Sequence, residues 1–142
     1  MLWVKTFFGI LFQTILLGIF LYLPALTLNW SDAFLLLTIH FLMTILASAY
    51  LLIVKPESIE ARMNYDSKTQ PKEDRLATAL MFSAIFVGLS LAPIDIFHLN
   101  LSSSFEGSIK NIGLAIYIIG MLLFMVSINA NEFAETTVNI QE

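Results

Sequence analysis

The chain contains no cysteine and few charged residues. Of its 142 residues, 13% are charged, against about 25% in ordinary soluble domains. The absence of cysteine excludes disulfides, thiolate metal ligands and cysteine nucleophiles. A net charge of −4 is too small and too dispersed to favour nucleic acid as a partner. With 58% hydrophobic residues and a mean hydropathy of +0.82, the composition predicts a chain that is solvated mainly by the lipid bilayer.

Four long apolar segments are predicted to cross the membrane as helices. They cover residues 2–23, 33–54, 76–97 and 109–130, and each holds at most one charged residue. About 20 apolar residues suffice to span about 30 Å of hydrocarbon. The prediction is an all-α integral membrane four-helix bundle over residues 1–130, with a polar tail at 131–142. The first segment exceeds the roughly 7–15 apolar residues of a secretory signal, so an uncleaved span is favoured over a signal peptide.

The basic residues predict the orientation of the bundle. Five of the seven lysines and arginines fall in the loop 55–75, and Lys5 lies near the start of the chain. Cytoplasmic loops carry an excess of these residues. The loop and both termini are therefore predicted to be cytoplasmic. Since no transit-peptide pattern is present, the predicted location is the inner membrane of a bacterium or archaeon.

Several residues predict where the helices begin, bend and end. Ser31 or Asp32 is expected to cap the second span and Ser108 the fourth, because short polar side chains bind the free N–H groups of a helix start. Pro56 is expected to end the second span. Pro93 predicts a kink or an early end of the third span near residue 92.

The loop 55–75 predicts two short helical segments. Ile59 and Met63 have helical spacing among charged neighbours, which is typical of an amphipathic helix at a membrane surface, and Pro71 is typical of a helix start. The charges of the loop are interpreted as a solvated segment that sets the topology; the alternative is a docking surface for lipid headgroups or a catalytic segment. Gly113 and Gly120 share a helix face, for which simple packing is favoured over close approach of a second helix.

Two stretches resemble isoprenylcysteine carboxyl methyltransferase-like membrane enzymes. The order Lys55-Pro56-Glu57-x-x-x-x-Arg62, followed by Lys72-x-Asp74-Arg75-Leu76, is similar to the first cytoplasmic loop of that family. The order Asn129-x-Asn131-x-Phe133, followed by Val138-x-Ile140-Gln141, is similar to the segment that precedes its cofactor-binding motif. The resemblance implies methyl transfer from S-adenosylmethionine to a membrane-embedded acceptor, such as a prenylcysteine carboxylate.

The chain departs from the family pattern in its cofactor-binding half. It contains no Gly-Pro-Tyr and no Arg-His-Pro sequence, so no catalytic or cofactor residue is carried over from the family. The resemblance therefore implies an N-terminal membrane half that is inactive and holds no cofactor by itself. A separately encoded catalytic half or a second copy of the chain is the expected partner. The alternative function is a four-span scaffold or interaction protein without catalysis.

A few polar residues are candidates for a site. In a complete enzyme, Asn129, Asn131 and Gln141 are the candidates for a role on the cofactor side, although helix termination and interfacial hydrogen bonding explain them more simply.

His40 lies within the second span, where ionisable groups are functional candidates. A structural role is favoured, with its ring satisfied by Thr44 or by a carbonyl of a neighbouring helix. Asp95 and His98 are three residues apart, but a metal would need further ligands and the adjacent loop offers only Glu106. No metal site is therefore predicted.

Overall fold

The computed structural model describes residues 1–63, 72–101 and 107–130, and these residues are almost entirely helical. No strand occurs among them. The helices are α1 (Leu2–Ala25), α2 (Ser31–Val54), α3 (Pro56–Met63), α4 (Lys72–Ile94) and α5 (Gly107–Ala130), and a π-helical segment, Asp95–Leu99, continues α4.

Four of the helices are long and apolar enough to cross a membrane. They are α1, α2, α5 and the stretch Asp74–Leu99, with 24, 24, 24 and 26 residues. At 1.5 Å per residue, 24 residues extend about 36 Å, which exceeds the hydrocarbon thickness of about 30 Å. The all-α fold with four membrane helices is confirmed, and the helices extend the predicted spans by a few residues.

The two central helices are α1 and α2. They pack against each other, α4 packs on α1, and α5 packs on α2. Phe20 of α1 stacks on Phe86 of α4 with ring centroids 4.3 Å apart, and Pro24 lies beside His98, so α1 and α4 run in the same direction. The pairs Asp32–Lys110 and His40–Tyr117 show that α2 and α5 are likewise parallel.

This arrangement gathers basic residues at one end of the bundle. Lys5 and Lys72 lie near the starts of α1 and α4, and Lys55 follows the end of α2. We call this the basic end. The opposite end holds the starts of α2 and α5 and the π-helical segment.

The α1–α4 contact compensates for the proline in α1. Pro24 has no N–H, so it cannot donate to the Phe20 carbonyl as a helical residue four positions later normally does. Ser90 of α4 donates its hydroxyl to that carbonyl at 3.3 Å. His98 Nε2 lies 2.7 Å from the Pro24 carbonyl oxygen, which places the donating N–H on that ring nitrogen. In lipid, such side-chain partners replace the water that is absent.

Pro93 widens α4 instead of ending it near residue 92. Its side chain is fully buried, and α4 continues to Ile94 before the π-helical segment begins. The Asn100 N–H closes this segment on the Asp95 carbonyl at 2.7 Å. Asn100 itself has a left-handed backbone, with φ 50°, a conformation that asparagine tolerates better than most residues. Of the two alternatives predicted at Pro93, the early end of the span was wrong, because the helix continues as a π-helical segment to Leu99; the kink stays a prediction.

Two of the predicted helix caps were also wrong. The residue that precedes α2 is Trp30, and no side chain caps that helix end. Ser108 lies inside α5, because the helix begins at Gly107. By contrast, α2 does end at Val54, directly before Lys55 and Pro56, as predicted. Local backbone chemistry explains this success, since proline restricts the residue before it.

The predicted amphipathic helix is α3, and it ties α2 to α1. Ile59 is buried against Leu51 and Leu52 at the end of α2, and Leu2 of α1 packs on the same cluster. The Thr6 hydroxyl of α1 lies 3.7 Å from the Met63 sulfur. We call Leu51, Leu52 and Ile59 the apolar cluster. It fixes α3 against the basic end of the bundle.

Gly113 and Gly120 are not sites of close helix approach among the described residues. A Cβ atom added at either glycine would meet nothing within 4 Å. The half-buried apolar residues of α5 recur at intervals of four and three and form the seam toward α2: Leu114, Ile118, Met121, Met125 and Ile128. The two glycines lie beside this seam, about 100° around the helix.

Candidate functional site

A histidine–tyrosine pair joins α2 to α5 in the middle of the bundle. His40 Nδ1 lies 2.6 Å from the Tyr117 hydroxyl, and the histidine side chain is buried. Thr44 donates to the backbone carbonyl of His40 at 2.8 Å rather than to its ring. The expected partner of the ring was therefore wrong. Tyr117 is 77 residues away in the sequence, and no local spacing connects the two residues.

The second ring nitrogen of His40 is also buried. Nε2 has no hydrogen-bond partner among the described residues. Among residues 1–63, 72–101 and 107–130, no group of three or more histidine, aspartate or glutamate side chains is arranged to hold a metal. A single imidazole with a phenol serves as an interhelical polar contact, of the kind that orients membrane helices. The structural role favoured for His40 agrees with this geometry.

A second polar group of residues lies at the basic end. Lys55 donates from Nζ to the backbone carbonyl of Asn129 at 2.8 Å. Ser58 of α3 is buried, and its backbone N–H donates to the Lys55 carbonyl at 3.1 Å. The Ser58 hydroxyl and the Asn129 Oδ1 atom are both buried without a partner among the described residues. We call Lys55, Ser58 and Asn129 the junction cluster.

Local structure explains how the junction cluster forms. Lys55 is the residue between α2 and α3, and its carbonyl accepts the Ser58 N–H at 3.1 Å. Ile128 of α5 packs on the apolar cluster that contains Ile59. Ser58 precedes Ile59 and Asn129 follows Ile128 in the sequence. Since Ile59 and Ile128 both pack in or on the apolar cluster, Ser58 and Asn129 are brought to the same end of the bundle. The predicted site residue Asn129 belongs to this cluster, whereas Asn131 and Gln141 lie outside the described residues.

The junction cluster provides a cation, a hydroxyl and a carboxamide. Buried polar atoms that lack a partner cost about 1–3 kcal/mol each, so the cluster is suited to receive hydrogen bonds from a further polar group. It contains no nucleophile paired with a base.

Asp95 and His98 bind backbone groups near the ends of the π-helical segment and of α1. Asp95 accepts the Leu101 N–H at 2.8 Å through Oδ1, and His98 binds the Pro24 carbonyl. Glu106, the further ligand considered for this pair, lies outside the described residues. At the same end, Lys110 and Asp32 form an ion pair of 2.6 Å with side chains about half exposed, at 53% and 52%.

An open apolar groove of about 520 Å³ runs along α1 toward the opposite end. Isoleucine and leucine make up most of its lining, which consists of Ile15, Gly18, Ile19, Tyr22, Leu23, Leu26, Thr27 and Leu28. Such a surface suits a hydrocarbon chain, whether from bulk lipid or from a lipid-like ligand.

Over residues 1–63, 72–101 and 107–130, the fold is that of an all-helical integral membrane protein, with four helices long and apolar enough to cross a membrane. Comparison with protein-family models, with curated proteins and with solved structures finds no match for the chain.

Proposed function

We propose that these residues form the N-terminal membrane region of an isoprenylcysteine carboxyl methyltransferase-like protein. The family reaction is transfer of a methyl group from S-adenosylmethionine to a membrane-embedded acceptor. One observation supports the proposal most directly. The two stretches that carry the resemblance begin at Lys55 and Asn129, 74 residues apart, and Lys55 Nζ contacts the Asn129 carbonyl at 2.8 Å.

Further support comes from the position of the two stretches on the molecule. Their described first residues, Lys55 and Asn129, lie at the basic end, where Ile128 packs on the apolar cluster. Contact between the first residues of two resembling segments is consistent with one functional unit. The apolar groove along α1 is compatible with a lipid-like acceptor, although it has no feature specific to a prenyl chain.

We further propose that these 142 residues do not transfer methyl groups by themselves. S-adenosylmethionine carries a sulfonium, an amino group and a carboxylate, so its binding needs several convergent polar groups in a formed pocket. The junction cluster offers three polar side chains, two of them buried. The cofactor-binding half would come from a separately encoded chain or from a continuation of this one.

Isothermal titration calorimetry tests this proposal. The purified 142-residue chain in lipid nanodiscs is expected to show no saturable binding of S-adenosylmethionine up to about 1 mM, a limit that corresponds to about −4 kcal/mol of binding free energy. The DNA downstream of the Glu142 codon is expected to encode Gly-Pro-Tyr and Arg-His-Pro elements, and co-expression of that segment is expected to produce binding.

Two outcomes would contradict the proposal. Micromolar binding by the 142 residues alone would show that the cofactor site is already complete. Unrelated downstream DNA, together with no binding after co-expression, would favour the alternative function, a four-span scaffold or interaction protein without catalysis.

The proposed location is the inner membrane of a bacterium or archaeon, with the basic end in the cytoplasm. The bias of lysine and arginine toward the loop 55–75 supports this orientation. A reporter that is active only in the cytoplasm, fused after Glu142, is therefore expected to be active, and the same reporter inserted between Asn29 and Trp30 is expected to be inactive. The reverse pattern would invert the topology.

A further inference from the structure

We infer that Lys55 is a positioning residue: from the neighbouring α2–α3 corner it caps the last described turn of α5 and fixes that turn against α2. The capping role rests on the geometry alone. Its consequence for catalysis, the placement of the cofactor-binding half, rests on the proposed function.

The Asn129 carbonyl is a group that requires a partner. The last four carbonyls of a helix have no N–H donor within the helix, and Asn129 is one residue before the end of α5 at Ala130. Positive side chains stabilise such carbonyls and the negative end of the helix dipole. The last turn of α5 contains no basic residue, so the charge is supplied by Lys55.

Lys55 is held in place by its backbone. Its N–H donates to the Leu51 carbonyl at 2.7 Å, and its own carbonyl accepts the Ser58 N–H at 3.1 Å. The apolar cluster lies directly beneath this corner, with Ile128 of α5 packed on it. The base of the lysine side chain is thus fixed relative to the last turn of α5, which makes its ammonium a defined anchor.

Lys110 also links α5 to α2, but in more exposed surroundings than Lys55. Lys110 pairs with Asp32 at the first turn of α5, where both side chains are half exposed and water and salt screen the pair. Lys55 is less exposed, and its acceptor is a backbone carbonyl at a helix end. Replacement of Lys110 is therefore a matched control, because it removes a lysine from the opposite end of the same helix pair.

Hydrogen exchange of the full 142-residue chain in lipid nanodiscs tests the capping role. In Lys55→Met, exchange of the amides of residues 127–130 is expected to rise about tenfold, since loss of a hydrogen bond from a charged donor lets the last turn open more often. Lys55→Arg keeps a charged donor and is expected to stay near the wild type. Lys110→Met is expected to leave these four amides unchanged.

Exchange is judged against the amides of residues 37–45 in the same sample, so that global unfolding is recognised. Unchanged exchange at 127–130 in Lys55→Met would overturn the capping role. If that variant exchanges everywhere, the milder Lys55→Gln decides, with a local rise at 127–130 expected and no local rise contradicting the inference.

Kinetics of the complete two-part enzyme test the positioning role. Lys55→Met is expected to raise the KM for S-adenosylmethionine about tenfold and to change kcat less than about twofold, the pattern of weakened binding without damaged chemistry. Lys55→Arg is expected to restore the KM, and Lys110→Met to leave it unchanged. A normal KM in Lys55→Met, with raised exchange at 127–130, would overturn positioning and leave capping intact. An inactive wild-type complex would overturn the proposed function, and the exchange result would still decide the capping role.

Discussion

Replacing Tyr117 with phenylalanine is expected to destabilise the bundle by about 1–3 kcal/mol, the usual cost of a buried polar group left without its partner. The variant keeps the ring and removes only the hydroxyl that lies 2.6 Å from His40 Nδ1. No other described residue partners the Nε2 atom of the same ring. Both nitrogens of a buried imidazole would then lack a partner, in surroundings where lipid cannot replace it.

The double variant His40→Leu with Tyr117→Phe is expected to recover at least half of that loss. Removal of both polar groups leaves an apolar contact of similar size, and such paired replacements are often close to neutral. The coupling between the two sites is expected to be about 0.6 kcal/mol and at most about 1.7 kcal/mol, the average and the maximum of measured hydrogen bonds between membrane helices.

Unfolding by sodium dodecyl sulfate, followed by circular dichroism, measures these differences. Tyr50→Phe is the control, because Tyr50 also lies in α2 but its side chain is 50% exposed; a change in the free energy of unfolding within about 0.5 kcal/mol is expected there. Additive effects of His40→Leu and Tyr117→Phe would show that the two side chains do not stabilise the bundle through their mutual hydrogen bond.

Replacing Ile59 with aspartate is expected to lower the free energy of unfolding by at least about 3 kcal/mol, because it places a charge in the apolar cluster at the basic end. Ile59 is 7% exposed and packs on Leu51 and Leu52. A carboxylate at this position would be buried among apolar side chains, so α3 is expected to detach from the bundle.

Two measurements detect detachment of α3 in Ile59→Asp. The midpoint of detergent-induced unfolding is expected to fall, and hydrogen exchange of the amides of residues 58–63 is expected to become fast. Ile59→Ala is expected to cost about 2–4 kcal/mol, because it removes buried methyl groups without adding charge. Glu60→Ala, at the exposed neighbouring position, serves as the control with little expected change. Protected amides in α3 of Ile59→Asp would contradict the packing role of Ile59.

Much of the fold was predictable because it depends on local chemistry. A run of about 20 apolar residues dictates a membrane helix whatever its neighbours are. The end of α2 before Pro56 and the amphipathic helix α3 follow from proline geometry and from the spacing of Ile59 and Met63. The failed predictions at Ser31, Asp32 and Ser108 also concern local chemistry, but a side-chain cap contributes only about 1 kcal/mol, and Asp32 pairs with Lys110 instead.

The candidate site was less predictable. Asn129 was identified from the resemblance, but its contact with Lys55 joins residues 74 positions apart. Ser58 was missed, since a serine among glutamates in a polar loop gives no signal of burial. Tyr117 was missed because aromatic residues are common in membrane helices, and only its position opposite His40 distinguishes it.

The sequence by itself determined that the protein is helical, that four of its segments are long and apolar enough to cross a membrane, and that five of its seven basic residues fall in the loop 55–75. The tertiary structure decided which helix faces which: Ser90 compensates for Pro24, Tyr117 binds His40, and Lys55 caps α5. The physical reason is that these helices are apolar on nearly every side, and lipid is as apolar as a protein core. Hydrophobic pattern therefore sets how many helices form, whereas a few polar contacts between them set how they are turned.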